Sequence, residues 1–340
     1  MPTIKDVARA AGVSIATVSY VFNGVPKVGE KTRRKVLETA RELGYIPHKV
    51  ASQLASRHTR TLGAIFPYVV VEESSSGQEP NYYVTEVIWG IENTAQRLGY
   101  GLLIAGWGPE SNWELPAMLR DGSVEGVFLT GGLYPTEFIH QVKDTGIPAV
   151  LVGVTAPENM LDSVSADNEE GAFQAVKHLI SLGHRRIGFI NSPAVSRTSE
   201  EKARGVRRAL RSSGIKPDPD LTREGDFSVK SGYQAARDLL TLSNPPTALF
   251  VGDDAMAVGA LEAARGLNLE VPGDVAIVGY GDGPMSRITI PPLTTVRIKR
   301  DRLGEMAVRC LIDRINGIND VTVTIKLTTK LVVRSSCGAK

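Results

Sequence analysis

Eight short apolar runs recur along most of this chain, and they constrain the fold more than any other feature. The runs are TLGAIFPY, GLLIAG, VEGVFLT, PAVLVG, RRIGFIN, TALFVGDD, DVAIVGYGD and TTVRI. They are rich in Val, Ile, Leu and Phe, and stretches of mostly helical pattern separate them. This alternation predicts parallel sheets with helices on both faces. Because the units are too many for one small sheet, we expect two α/β lobes.

Residues 61–340 would then form a two-lobed body of parallel, doubly wound sheets. We expect the chain to cross between the lobes near residues 160, 290 and 320. The first lobe is predicted to contain residues 61–160 and 291–320, and the second lobe residues 161–290 and 321–335. Ligands of such sheets bind beyond the carboxyl ends of the strands. The residues that follow the apolar runs are therefore candidates, and they include Tyr68, Trp107, Asp226 with Phe227, Asp253 with Asp254, and Asp282.

Carboxylates and aromatic rings at strand ends indicate a polyhydroxyl ligand. Acidic oxygens accept hydrogen bonds from hydroxyl groups, and an aromatic face covers the C–H surface of a sugar ring. Each of these residues could instead cap a helix or pack in a core. Their recurrence at strand ends favours a ligand site.

The first 60 residues have a different pattern, with short helices and no strand-like run. Thr3 and Asp6 have the spacing of a capping box, and Gly12 provides a tight turn before a second helix that Ser14 can cap. Two short helices joined by a glycine turn predict a helix-turn-helix. In the second helix, Val18 and Val21 are expected to face inward and Ile15, Ala16, Ser19 and Tyr20 to face solvent.

A third helix is predicted from about Glu30 to Leu43, ending at Gly44. Its expected apolar stripe consists of Val36, Leu37, Ala40 and Leu43. The next segment, PHKVASQLASRHT, predicts a helix of about two turns, which is unstable alone in water because nucleation is costly. We expect it to order only on binding, when Leu54 could enter a DNA minor groove as an apolar wedge.

Charge is distributed unevenly between the two ends of the chain. Residues 1–60 contain 11 Lys and Arg against 4 Asp and Glu, a net charge of +7, whereas the remainder contains 28 against 33, a net charge of −5. Lys31, Arg33, Arg34 and Lys35 cluster at the start of the third helix. A basic head on a mildly acidic body predicts that the head binds a polyanion such as DNA.

Several classes of protein are disfavoured. The N-terminal MPTIKDVARAAG carries charge where a signal peptide has an apolar segment, and no long apolar run is present, so we expect a cytoplasmic protein without membrane contact. Cys310 and Cys337 have no pairing or metal-site pattern. Because we find no P-loop, GxSxG or HExxH motif, we expect neither catalysis nor a cofactor.

The segment TIKDVARAAGVSIATVSYVFNG, with ETARELGYIPHKVASQLASRHTRTLGAIFP downstream, resembles the lactose/galactose repressor family of bacterial transcription regulators. The resemblance implies that Ile15, Ala16 and Tyr20 contact base edges. It further implies contacts to phosphates, or a role in bracing the fold, for Ser14, Thr17, Ser19, Asn23 and Thr32. It places Ala51 and Leu54 at the hinge-helix positions that enter the DNA minor groove. Thr3 and His48 complete the predicted DNA-binding set. Many relatives have Arg at the position of Tyr20, and a phenol cannot form the bidentate guanine contact of a guanidinium.

The resemblance continues through the body, in GAFQAVKHLISLGHRRIGFI, EGDFSVKSGYQAARDLL, GDDAMAVGALEAARGLNLEVPGDVAIVGY and PPLTTVRIKRDRLGEMAV. It implies a periplasmic-binding-protein-like fold whose interlobe cleft holds an effector. The effector residues it implies are Tyr83, Thr198, Lys202, Phe227, Asp253 and Asp282, beside Tyr68 and Trp107 from the strand ends. Three positions depart from the family: Lys202 replaces an Arg for which Arg197 could compensate, Asp253 replaces an Asn, and Gly281 replaces the first Asp of a pair.

These patterns together predict a homodimeric, allosteric repressor of carbohydrate-utilisation genes that binds a near-palindromic DNA operator. Residues 1–46 would be the helix-turn-helix DNA-binding domain, 47–60 the hinge helix and linker, and 61–340 the effector-binding and dimerisation domain. A sugar is the first hypothesis for the effector. The alternatives are a regulator that needs a purine-type co-repressor, with Phe227 and Tyr83 stacking on the base, and a ligand-binding protein without DNA function.

Overall fold

The computed structural model describes residues 2–22, 25–45, 59–67, 82–108, 112–131, 134–155 and 160–339. The chain divides into two compact units, Met1–Thr59 and Arg60–Lys340, which we call the head and the body. Among the described residues, no helix is long and apolar enough to cross a membrane.

The described part of the head contains the three predicted helices, α1 (Ile4–Ala11), α2 (Ile15–Phe22) and α3 (Glu30–Glu42). The Thr3 backbone N–H donates to Asp6 Oδ2 at 2.9 Å, as expected at a capping box. Gly12 has a φ of 66°, the left-handed conformation that the turn between α1 and α2 requires. At α2, the Thr17 N–H donates to Ser14 Oγ at 3.0 Å, which confirms Ser14 as the cap.

The core of the head is small and is filled mainly by valine and alanine. Its buried members are Val7, Ala8, Ala11, Val18, Val21, Val36 and Ala40. The predicted stripe of α3 was wrong for Leu37 and Leu43, which are exposed. Val36 and Ala40 lie one turn apart on the face toward α1 and α2, and Leu37 is rotated about 100° from that face.

The first lobe of the body is a sheet of parallel strands in the order β11-β5-β4-β3-β1-β2. The strands are β1 (Thr61–Pro67), β2 (Gly101–Trp107), β3 (Gly126–Thr130), β4 (Ala149–Val152), β5 (Asp162–Ala166) and β11 (Thr324–Leu327). Its helices are α4 (Tyr82–Arg97), α5 (Thr136–Asp144) and α11 (Arg300–Ile315). One apolar cluster includes residues of α4 and α11, and another includes residues of α5, so both faces of the sheet are covered.

The second lobe repeats this arrangement in the order β12-β10-β9-β8-β6-β7. Its strands are β6 (Ile187–Asn191), β7 (Thr222–Glu224), β8 (Ala248–Val251), β9 (Ala276–Gly281), β10 (Thr294–Arg297) and β12 (Lys330–Val332). Its helices are α6 (Asn168–Ser181), α7 (Arg197–Arg211), α8 (Val229–Leu240), α9 (Asp254–Gly266) and α10 (Met285–Ile288). The predicted parallel, doubly wound architecture is confirmed, although the edge strand β12 is antiparallel to β10.

The three crossings between lobes come later in the chain than the predicted positions near 160, 290 and 320. β5 pairs with β4 and β11 pairs with β5, so both strands belong to the first sheet. β10 pairs with β9 and belongs to the second sheet. The chain therefore crosses after Ala166, after Arg297 and after Leu327. The positions of apolar runs show where strands are, but the hydrogen-bonding partner decides which sheet each strand joins.

Glycines bring neighbouring helices into backbone contact. A Cβ on Gly259 of α9 would lie 2.0 Å from the carbonyl oxygen of Val229 in α8. A Cβ on Gly304 of α11 would likewise lie 2.5 Å from the carbonyl oxygen of Val87 in α4. This second contact holds the start of α11 against α4, which matters for the side chain of Arg300 described below.

Candidate functional site

Helix α2 presents a small mixed face to solvent. Ile15 and Tyr20 are 45% and 40% exposed, and Ala16 is exposed beside them, whereas Val18 and Val21 of the same helix are buried. One side of α2 therefore packs into the core of the head, and the side predicted to contact bases is exposed to solvent. A helix that exposes such side chains near its N-terminus has the form of a helix-turn-helix recognition helix.

The remaining predicted DNA contacts are of three kinds: side chains that brace helix starts, half-buried side chains, and residues outside the described part of the chain. The Ser14 and Thr17 hydroxyls lie 2.9 Å apart, and the Thr3 hydroxyl donates to Asp6, so these three side chains brace helix starts. Ser19 and Thr32 are half-buried. Asn23, His48, Ala51 and Leu54 lie outside the described residues, as does the predicted effector residue Tyr68. Their roles stay predictions, as does the assignment of residues 47–60 to a hinge.

Each sheet has a point where its strand order reverses, and ligands of doubly wound folds bind there. In the second lobe this point lies between β6 and β8. Lys202 of α7 occupies it, because its Nζ donates to Ser192 Oγ beyond β6 at 3.1 Å and to the Gly252 carbonyl beyond β8 at 2.7 Å. Burial lowers the pKa of Lys202 to about 8, and the nearby carboxylate of Asp253 opposes that shift.

Asp253 and Phe227 lie beyond the carboxyl ends of β8 and β7, the two strands that flank β6 in the second lobe. Asp253 caps α9 by accepting from the Ala255 N–H at 2.8 Å, and burial raises its pKa although Lys202 acts in the opposite direction. Phe227 follows β7 with a φ of 73°, a strained conformation for a bulky residue that often marks a functional site. The adjacent Asp226 stabilises this turn by accepting from the Ser228 N–H.

Two other predicted residues, Trp107 and Asp282, have less free surface. Trp107 is buried beside Trp113 and Phe138, and its indole N–H donates to the Trp113 carbonyl at 3.2 Å. Asp282 pairs with both Arg297 and Arg334. Burial raises the pKa of the Asp282 carboxyl, but the two arginines lower it by more. The pKa of Asp282 therefore lies below its usual range. Both groups are engaged inside their own lobe, and their contact with an effector stays a prediction.

Thr198 lies near the start of α7, the helix that carries Lys202. It is half-buried, and its hydroxyl lies 2.9 Å from that of Ser196. Arg197, the residue considered as a substitute for the missing family arginine, is exposed. The structure therefore places Thr198, Lys202, Asp253 and Phe227 on one lobe, at or near the carboxyl ends of β6, β7 and β8.

The first lobe contributes Tyr83 near the start of α4. Burial raises the pKa of its phenol to about 12. A Cβ on Gly153, just beyond β4, would lie 2.0 Å from the Tyr83 hydroxyl, so the ring reaches the end of that strand. The guanidinium carbon of Arg300 lies 5.8 Å from the centre of the same ring.

Sequence reasoning missed Arg300, Glu86 and Glu201. Arg300 is 8% exposed, and its Nη1 donates to Glu86 Oε2 at 2.7 Å. In the sequence it belongs to the charged stretch RIKRDR, which is typical of a solvated helix start, and no local signal distinguishes it. Among the described residues, no group of three or more His, Cys, Asp or Glu side chains could hold a metal ion.

Glu201 links the two lobes. It lies on α7 of the second lobe and is buried, yet it accepts from Thr155 beyond β4 at 3.2 Å and from Lys326 of β11 at 3.3 Å. Asn168 donates to its other oxygen at 2.8 Å. Since Glu201 is adjacent to Lys202, the switch point of the second lobe and the interlobe contact share one helix turn.

Comparisons with known proteins agree with this arrangement. Residues 3–48 match the family described as bacterial regulatory proteins, lacI family, and residues 176–337 match a periplasmic binding protein-like domain. The HTH-type transcriptional repressor PurR of Edwardsiella ictaluri (strain 93-146) is 36% identical over 342 residues, which cover 99% of this chain and 97% of the relative. Catabolite control protein A of Priestia megaterium is 34% identical over 337 residues, with 98% of each chain covered.

Solved structures extend the similarity to three dimensions. A complex of the transcriptional regulator CelR with cellobiose shares 32% identity and a TM-score of 0.74, covering 99% of this chain and 100% of the other. The lac repressor dimer bound to operator and the anti-inducer ONPF shares 28% identity and a TM-score of 0.84, with 99% of each chain covered.

A helix-turn-helix head and a two-lobed body of the ligand-binding type define a DNA-binding transcription regulator. With more than a third of residues identical to a curated repressor over nearly the whole length, the chain belongs to the lacI family of bacterial regulatory proteins. The predicted family resemblance is thereby confirmed.

Proposed function

We propose that this protein is a transcriptional repressor that acts in the cytoplasm as a homodimer and binds a near-palindromic operator, under the control of a small molecule in the interlobe cleft. The observation that carries the proposal is the exposed face of Ile15, Ala16 and Tyr20, which lies within a basic N-terminal segment, residues 1–60, of net charge +7. Two equal heads require a two-fold symmetric site. The lac repressor structure, described as a dimer on its operator, supports this assembly.

The DNA-binding proposal is tested by substitution of Tyr20. The operator is first selected from random duplexes with the full-length protein, and the variant Tyr20→Ala is then compared on operator and random DNA. We expect a loss of about 1–3 kcal/mol of preference for the operator, because a base contact is removed. Leu37→Ala removes an equally exposed side chain from α3 and is the matched control. Equal effects of the two variants would contradict the assignment.

The effector proposal starts from a sugar. The cellobiose complex of CelR supports it, as do the carboxylates and the aromatic ring at the strand ends of this chain. A purine-type co-repressor is the second candidate, because Phe227 and Tyr83 are aromatic rings on opposite lobes of the cleft. A ligand that favours one lobe orientation changes operator affinity through its differential binding to the two states, typically by 1–3 kcal/mol.

Phe227→Ala separates effector binding from DNA binding. We expect this variant to bind operator normally and to lose its response to the effector, since the change lies in the second lobe and removes only the ring. Calorimetry with cellobiose and with hypoxanthine on the wild type and the variant measures the loss, and operator binding on the same samples gives the sign of regulation. An unchanged ligand response in the variant rules out Phe227 as a contact.

A further inference from the structure

The guanidinium of Arg300 is the most unusual charged group in the body. Arg300 begins α11 of the first lobe, and its side chain extends to the loop that follows β9 in the second lobe. Its Nη1 donates to Glu86, but its buried Nε–H has no hydrogen-bond partner in the part of the chain that the structure describes.

The unsatisfied donor belongs to the edge of the guanidinium that suits an oxyanion. Nε–H and Nη2 project to the same side of the planar group, and together they form the fork that binds carboxylate or phosphate in a bidentate manner. Glu86 Oε2 lies at Nη1, on the other side of the guanidinium, and leaves the Nε–H without a partner among the described residues. A buried donor without a partner destabilises the folded state, and the cost is larger when the donor is charged.

The second lobe faces this edge with glycine backbone. A Cβ on Gly281 would lie 2.6 Å from Arg300 Nη2, and one on Gly283 would lie 3.9 Å from it. Gly281 has no side chain, so it supplies no carboxylate that could pair with Arg300. The carboxylate of Asp254 also lies near Gly281, and it already accepts from Thr295 Oγ1 at 2.6 Å and from the Gly283 N–H at 2.8 Å.

The other cation predicted for the cleft does not compete for the same role. Lys202 directs its ammonium to Ser192 and to the Gly252 carbonyl, and it lies 4.8 Å from the centre of the Tyr280 ring. Two of its three N–H donors are therefore engaged at the switch point. Arg300 is left with an unpartnered Nε–H between the lobes, next to the ring of Tyr83.

We propose that the effector carries a carboxylate or a phosphate, and that the Nε and Nη2 edge of Arg300 binds this group. The inference rests on the effector cleft proposed above and narrows its ligand from a sugar to an acidic one, such as a sugar acid or a sugar phosphate. Because Arg300 extends from one lobe to the other, the bound anion stabilises the orientation in which the fork and the Gly281 loop are close.

The first test uses simple anions on the full-length protein. Thermal unfolding is measured in sodium phosphate, sodium acetate and sodium chloride at equal ionic strength, for the wild type and the variants Arg300→Gln, Arg300→Lys and Arg309→Gln. Arg309 is an exposed residue of the same helix, so its variant is the matched control. All variants keep the basic head, and anion binding there cancels in the comparison.

We expect phosphate or acetate to raise the melting temperature of the wild type and of Arg309→Gln, and to have a much smaller effect on Arg300→Gln. Arg300→Lys keeps the charge without the fork and should respond partially, which separates anion binding from a folding defect. Equal responses of Arg300→Gln and the wild type to both anions would overturn the inference.

The second test distinguishes the two anion classes and separates this inference from the proposed function. Glucose, glucuronate and glucose 6-phosphate, with the corresponding galactose set, are titrated by calorimetry, and operator affinity is measured with each. An acidic member that binds at least tenfold more tightly than its neutral parent, and loses this advantage in Arg300→Gln, supports the inference. A neutral parent that binds as tightly and changes operator affinity overturns it while the proposed function stands. If an acidic sugar binds at Arg300 but does not change operator affinity, the anion site is supported and control of DNA binding by that ligand is contradicted.

Discussion

Lys202 illustrates how position changes the chemistry of a single residue. Its ammonium is held beneath two strand ends by Ser192 and the Gly252 carbonyl. Removal from water disfavours the charged form, and the pKa falls from 10.5 to about 8. The family resemblance implied Lys202 as an effector residue. The shift depends on burial by strands that lie 10 to 50 residues away, and no local pattern reports it.

This depressed pKa makes stability depend on pH. Between pH 8 and 10.5 the unfolded chain keeps the Lys202 proton and the folded chain releases it, so the free energy of unfolding rises with pH across this window. Below pH 8 both states hold the proton, and this contribution to stability is lost. Relative to Lys202→Met, the wild type should gain about 3 kcal/mol between pH 7 and 10.5. Urea unfolding at several pH values measures this difference. Lys216→Met, at an exposed lysine, should give a curve parallel to the wild type. Parallel curves for Lys202→Met would contradict the prediction.

At the scale of elements, glycine contacts decide how closely helices pack. The helix periodicity of α8 and α9 is visible in the sequence, but the places where their backbones touch are not. Gly232 and Gly259 allow α8 and α9 to meet, because a Cβ on either would lie about 2 Å from a backbone oxygen of the other helix. A similar contact between α4 and α11 brings Arg300 to Glu86.

Gly259→Ala should destabilise the second lobe. The added methyl group meets backbone rather than a flexible side chain, so the helices must separate, which costs typically 1–3 kcal/mol. Gly266→Ala on the same helix is the control, since its Cβ would lie at an ordinary 3.6 Å from the Tyr233 hydroxyl. That variant should be neutral or gain up to about 1 kcal/mol from helix propensity. Urea unfolding midpoints compare the two, and similar midpoints would show that α9 can move without cost.

At the scale of the whole molecule, the division of charge governs association with DNA. The head is basic and the remainder is mildly acidic, so attraction to phosphate is concentrated in the head. Such attraction is sequence-independent and acts through the release of counterions. It should supply much of the affinity, whereas the exposed face of α2 supplies the preference for one sequence.

Lys31→Gln should therefore weaken binding to operator and random DNA alike. If Lys31 of each head contacts one phosphate, the slope of log affinity against log salt becomes less steep by about 1.8 for the dimer. Lys31 is exposed in the first turn of α3, and the equally exposed Lys216 of the body is the control, with no change expected for Lys216→Gln. Fluorescence anisotropy at several salt concentrations gives the slopes. A loss confined to operator DNA would assign Lys31 to base recognition instead.

The sequence by itself determined the three helices of the head, the alternation of strands and helices in the body, and the family, because each is encoded in local spacing or in long matching motifs. Only the tertiary structure decided which sheet β5, β10 and β11 join, because strand pairing is made between distant segments. It alone brought Arg300 to Glu86, 214 residues away, and left the Nε–H of the guanidinium without a hydrogen-bond partner in the described chain. Burial and ion pairing depend on which segments come together in the folded chain. Short sequence patterns do not specify these long-range contacts.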